Sequence, residues 1–163
     1  MLLDDLFAKY KSKGVLVDTN LLLMVAIGTY QVRKLLTWKR TLKYTLEDYE
    51  LVLKILAYFD RRVTTPNILT EVDNLARQLP EEEHAAISET LFRLINSSVE
   101  VYVPSPDAVQ TSLYAHVGLT DCVTMIAASE VLVLTDDFEL SNRLAHIGCD
   151  VLNINHIRTL AWQ

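Results

Sequence analysis

Cysteine is scarce in this chain: two in 163 residues, Cys122 and Cys149. They have neither the spacing of a zinc ligand set nor the density of a secreted disulfide framework. Both thiols are expected to be reduced, which points to the cytoplasm. Long apolar runs are lacking too. The longest, residues 21–27, falls far short of the ~20 residues a membrane-spanning helix needs. The opening MLLDDLFAKYKSKG carries acids early and has no small-residue cleavage site, so it does not read as a secretory signal. Neither a P-loop nor a G-x-G-x-x-G is present, and no nucleotide cofactor is implied. There is no G-x-S-x-G elbow and neither cysteine has an obvious histidine partner, which speaks against a serine or cysteine hydrolase. A basic excess is also missing: 15 Lys and Arg stand against 21 Asp and Glu, a net charge of −6. That counts against strong non-specific nucleic-acid binding. It leaves a nucleic-acid substrate open, because divalent cations change the field at an acidic site.

What is present is a folded core. Half the residues are hydrophobic and mean hydropathy is +0.19, which excludes a disordered chain. With no repeat, low-complexity tract or Gly/Ser linker, residues 1–163 read as one domain. The chain is organised around VLVDTN at 15–20. Three strand-forming residues end in an acid, a hydroxyl and an amide, and an apolar helix follows. Ligands of open α/β sheets bind beyond the carboxyl ends of the strands, which would place Asp18 at the rim where chemistry occurs. The plainer reading is that Asp18 or Thr19 caps the next helix.

Strand patterns recur at 61–65, 99–103, 131–134 and 150–153, with helical patterns between them. Gly28 is expected to end the first apolar helix. Thr45 and Asp48 form a capping pair for a helix reaching residue 60. Pro66 closes a strand and Asn67 caps the next helix, and Thr120 caps a helix over 121–130. A last helical turn is expected over 156–162. Alternation of strand and helix predicts an α/β fold with a mostly parallel sheet.

Residues 31–43 form the one basic stretch: Arg33, Lys34, Lys39, Arg40 and Lys43, with Trp38 and Tyr44 nearby. Basic residues interleaved with aromatics could track a phosphate backbone and stack bases. A solvated helical face with Trp38 packed inward is the simpler account.

The acids repeat the rim position. Asp136 and Asp137 end the fourth strand, Asp121 opens the helix leading into it, and Glu71 lies in the first turns of the helix after the second strand. Each alone reads as a cap, a dipole partner or a solvated residue. Together, four segments can bring carboxylates to one side of the sheet. Clustered carboxylates raise each other's pKa, and a divalent cation relieves that cost. Hard oxygen donors suit Mg²⁺ or Mn²⁺, as one ion or two.

At this point VLVDTNLLL (15–23), TPNILTEVDNL (65–75), GLTDCVTMIAA (118–128) and VLVLTDDFEL (131–140) can be set side by side. In that order they resemble the PIN-domain ribonuclease family. The resemblance implies a three-layer α/β/α sandwich around a parallel sheet of about five strands. It implies metal-dependent endonucleolytic cleavage of single-stranded RNA, with Asp18, Glu71, Asp121 and Asp137 holding Mg²⁺ or Mn²⁺. Asp136 shares or replaces the last role, and Thr19, Asn20 and Thr135 orient the acids. Many members are toxins restrained by a protein antitoxin, and members often form homodimers; nothing in this sequence identifies an antitoxin. The helix-rich segment around 31–60 departs from the compact toxins and reads as an insertion. Two alternatives carry less. A non-catalytic RNA- or protein-binding module would not need all four acids. A haloacid-dehalogenase-like phosphatase would need Asp where Asn20 stands and a lysine at the rim.

Overall fold

The computed structural model describes residues 3–161. In chain order the elements are α1 (Leu3–Tyr10), β1 (Val15–Val17), α2 (Thr19–Tyr30), α3 (Val32–Thr37), α4 (Leu46–Tyr58), β2 (Arg62–Thr64) and α5 (Pro66–Ala76). A 3₁₀ turn (Glu81–Glu83) leads into α6 (His84–Asn96), then β3 (Val99–Glu100), α7 (Ser105–Ala108), α8 (Tyr114–Val117) and α9 (Leu119–Ala127). The chain closes with β4 (Leu132–Thr135), α10 (Phe138–His146), β5 (Val151–Asn153) and α11 (Ile154–Ala161). Trp162, expected in the last helix, lies outside the described residues.

The expected α/β architecture is found: one five-stranded, all-parallel sheet flanked by helices in three layers. The strand order is β3-β2-β1-β4-β5. Central β1 is buried at all three residues, as a strand covered on both faces must be. Val15 stands beside Arg62 on one side and Leu132 on the other. The chain winds outward from β1 to β3, then returns to β4 on the opposite side of β1. The crevice between the carboxyl ends of β1 and β4 is therefore the topological switch point, where ligands bind in such sheets. Helix α2 presses against α3, α4, α5 and α6 and is buried continuously from Leu21 to Gly28, as an all-round apolar helix requires.

Local signals fixed several ends. The Thr45–Asp48 capping box forms in full. Other boundaries differ from expectation. Pro66 lacks an N–H and so starts α5, and Thr65, not Asn67, is its cap, accepting from Ile68 N–H at 3.2 Å. The cap of α9 is Gly118 at φ +83°, and Thr120 lies inside the helix. The third strand is only two residues long. Gly28 does not end its helix: α2 runs on to Tyr30. A β-carbon at Gly28 would lie 2.5 Å from the Tyr49 ring, so this glycine permits a close helix crossing. Gly28→Ala is accordingly expected to destabilise by about 1–3 kcal/mol from overpacking, despite alanine's better helix propensity. Urea denaturation of the two proteins tests this. Among the described residues no helix is long and apolar enough to cross a membrane.

Candidate functional site

The first candidate side chain is set by β1 and α2 together. Asp18 follows β1 directly, and its N–H donates to the Leu134 carbonyl of β4 at 3.0 Å. Its backbone is extended, which makes it the cap of α2: Oδ1 accepts from Leu21 N–H at 3.0 Å. The plain capping role is thus real. It does not account for the second oxygen, which accepts from the Thr135 hydroxyl. That hydroxyl in turn accepts from Asp137 N–H at 2.9 Å, so one threonine couples the acidic turns after β1 and β4. Asp18 is buried. Burial pushes its carboxyl up to about 7, against the pull of Thr135 and Leu21, and the charges of Asp136 and Asp137 push the same way.

The other acids arrive from α5, α9 and α10. Asp121 is half-buried in the first turn of α9. Burial first, then the charges of Asp137 and Glu71, push it up to about 6; Arg143 pulls the other way. Glu71 is exposed on α5 but is held by two hydroxyls, accepting from Thr19 at 2.9 Å and from Thr120 at 2.5 Å. Asp137 caps α10, with Oδ1 accepting from Glu139 and Leu140 N–H. Thr19 and Thr135 thus orient acids, whereas Asn20 is exposed and makes no side-chain hydrogen bond to an acid among the described residues.

Asp136 has a different set of partners. Its Oδ2 accepts from Lys43 at 2.5 Å and from the buried Tyr44 phenol at 2.9 Å. Burial and the Asp136 charge push that phenol well above its ordinary range. The Asp136 backbone carbonyl accepts from Asn155 and the Asp137 carbonyl from Asn153. Arg158 bonds both Asn155, at 2.7 Å, and the buried Asp48, at 2.5 Å. The acidic turn is therefore braced from α11 and from the residues before α4. Sequence reading does not bring Tyr44, Asp48, Thr120, Asn153, Asn155 and Arg158 to this site. Tyr44 carries a signal as an aromatic of the basic stretch and Asp48 and Thr120 as caps; the rest lie up to 110 residues from their partners.

The basic stretch divides. Lys43 reaches the rim through Asp136, Lys34 pairs with Glu83 at 2.6 Å, and Arg40 bonds Gln78. Arg33 and Lys39 are exposed, and Trp38 packs against the core as the simpler reading expected.

The donor set suits a hard divalent cation. Its candidate atoms are carboxylate oxygens, two of the acids are held toward the neutral form, and Asp136 Oδ1 is buried without a partner among the described residues. A cation would satisfy that oxygen and relieve the repulsion. Among the described residues no three acidic, histidine or cysteine side chains are gathered closely enough to hold an ion as they stand, so binding would draw them together. No family model matches the chain, and no match was found among curated proteins.

Proposed function

We propose that this chain is a PIN-type endoribonuclease that uses Mg²⁺ or Mn²⁺ to cleave single-stranded RNA. The observation that carries the reading is the approach of Asp18, Glu71, Asp121 and Asp137 from four elements to the switch point between β1 and β4, with Asp18 and Asp121 already perturbed by burial and by one another's neighbours. These four residues would hold one or two ions. Such an ion supplies a more acidic attacking water and neutralisation of charge on the phosphoryl oxygens. The chain's own residues do the positioning. Thr135 fixes Asp18, Thr19 and Thr120 fix Glu71, and Lys43 with Tyr44 holds Asp136 by its Oδ2, leaving Oδ1 for an ion. Arg33 and Lys39 are exposed cations that suit an RNA backbone.

Two free cysteines and no membrane-length helix among the described residues fit a cytoplasmic setting. The role of a toxin restrained by an antitoxin, and a homodimer built through the 31–60 segment, extend the same reading. One observation favours a second reading, a non-catalytic RNA- or protein-binding module: the acids are not gathered into an ion cage as they stand. Incubating purified protein with labelled single-stranded RNA in Mn²⁺, Mg²⁺ or EDTA separates the two. Cleavage in metal and none in EDTA is the expected result. Binding with no cleavage in either metal would select the module.

A further inference from the structure

Beside the acidic rim lies a groove of about 300 Å³ lined by Pro66, Asn67, Thr70, Glu71, Tyr102 and Thr120, among others. That volume sits at the lower end of the ~300–1,000 Å³ typical of small-molecule sites. Two of its walls, Glu71 and Thr120, belong to the cluster already described. Tyr102 follows β3 at the same carboxyl end of the sheet. The residue is 74% exposed, more than any other Phe, Tyr or Trp among the described residues.

An isolated exposed tyrosine needs no explanation, but this one is placed. Val101 N–H extends the ladder to the Thr64 carbonyl at 2.8 Å. Val103 is buried in a small core with Ala108, Cys122 and Val123. The backbone on both sides of Tyr102 is therefore fixed, and alternation turns its ring outward. Asn67 is half-buried in the groove wall. Its carboxamide, a donor and an acceptor together, has no side-chain partner among the described residues. A flat apolar face, an uncommitted amide and an adjoining acid cluster suited to a divalent cation match a nucleobase whose phosphate such a cation would bridge to the acids.

We infer that the groove between Tyr102 and Asn67 is a nucleobase subsite, in which Tyr102 stacks a base and Asn67 reads its edge. The assignment rests on the reading of this protein as acting on single-stranded RNA. Stacking is tolerant of base identity, whereas amide hydrogen bonding is not. Tyr102 thus supplies affinity and Asn67 supplies preference.

The test is fluorescence anisotropy of short labelled single-stranded RNAs in EDTA, with chemistry switched off, and with Ca²⁺ added to neutralise the acids, alongside a base-free ribose-phosphate oligomer of the same length. Tyr102→Ala is expected to raise Kd for RNA about tenfold and Tyr102→Trp to restore it. Neither change should alter the slope of log Kd against log salt, because no phosphate contact is lost. The base-free oligomer should bind wild type and Tyr102→Ala alike. Asn67→Ala should narrow the differences among homopolymers. A folded Tyr102→Ala protein that binds RNA as wild type does would overturn the subsite, as would wild type that binds no RNA or binds the base-free oligomer equally well. Cleavage of the same RNA in Mn²⁺ is followed in parallel. Tyr102-dependent binding without cleavage keeps the subsite and removes the nuclease; cleavage with Tyr102-independent binding does the reverse.

Discussion

Asp121→Asn is expected to lower metal-dependent cleavage of single-stranded RNA by on the order of a thousandfold or more, with kcat falling as far as kcat/KM. The asparagine is nearly isosteric and keeps one oxygen, but it loses the charge that suits a hard cation. Its effect on the fold should be small and of the opposite sign. Asp121 is half-buried, and its carboxyl faces the charges of Asp137 and Glu71, so neutralising it removes repulsion. The variant should melt at or slightly above the wild-type temperature while cleaving almost nothing. Single-turnover kinetics with excess enzyme, next to a thermal melt, reads both quantities. Wild-type turnover by this variant would remove the acid cluster from the chemistry altogether.

Asp18→Asn should separate the two roles that meet in that residue. A carboxyl held at about 7 in the folded protein keeps a proton that the unfolded chain, with its ordinary carboxyl near 4, releases. Folding of the metal-free wild type is therefore most favourable below about pH 4 as far as this group is concerned. It loses stability as pH rises toward 7, by about 4 kcal/mol. Asparagine caps a helix as well as aspartate, and the Thr135 hydroxyl has acceptor capacity for an amide N–H. Asp18→Asn should thus abolish cleavage yet raise the metal-free melting temperature at pH 7 by several degrees and flatten its fall with pH. Mn²⁺ should raise the wild-type melting temperature at pH 7 and leave the variant's unchanged. If Asp18 were only a cap, the variant would cleave as wild type does and respond to Mn²⁺ in the same way; a wild-type pH slope in the variant would instead show that this carboxyl is not the group that titrates.

The elements that were legible in the sequence are those whose causes are local. The β1 run, the Thr45–Asp48 box and the acid-ended fourth strand announce themselves within a few residues. The acids at the rim were legible for the same reason: strand ends and helix starts are local signals, and parallel topology carries them to one edge. Gly28 was misread because its cause is Tyr49, a ring on another helix. Asn67 reads as a cap because its residue type favours that position, while the preceding Thr65 and the missing N–H of Pro66 decide the matter. The turn at Asp136 was legible only in half. Its acids stand in the sequence, but the lysine, tyrosine and asparagines that hold the turn and one oxygen of Asp136 come from far along the chain. Tyr102 gave no sign at all, since exposure beside a groove is a property of the folded surface.

The hydroxyl bond from Thr135 to Asp18 spans 117 residues, and β1 borders β2 on one side and β4 on the other. A ribosome delivers β1, β2 and β3 well before β4, so the nascent half-sheet holds an open edge along Val15, Leu16 and Val17 until the fourth strand emerges. Contacts of this sequence separation form slowly. The acidic rim is accordingly assembled last. A chain stalled or truncated ahead of residue 132 carries Asp18 without the Leu134 carbonyl and Thr135 hydroxyl that hold it and lacks Asp137, so synthesis itself withholds the full acidic rim until most of the domain has emerged.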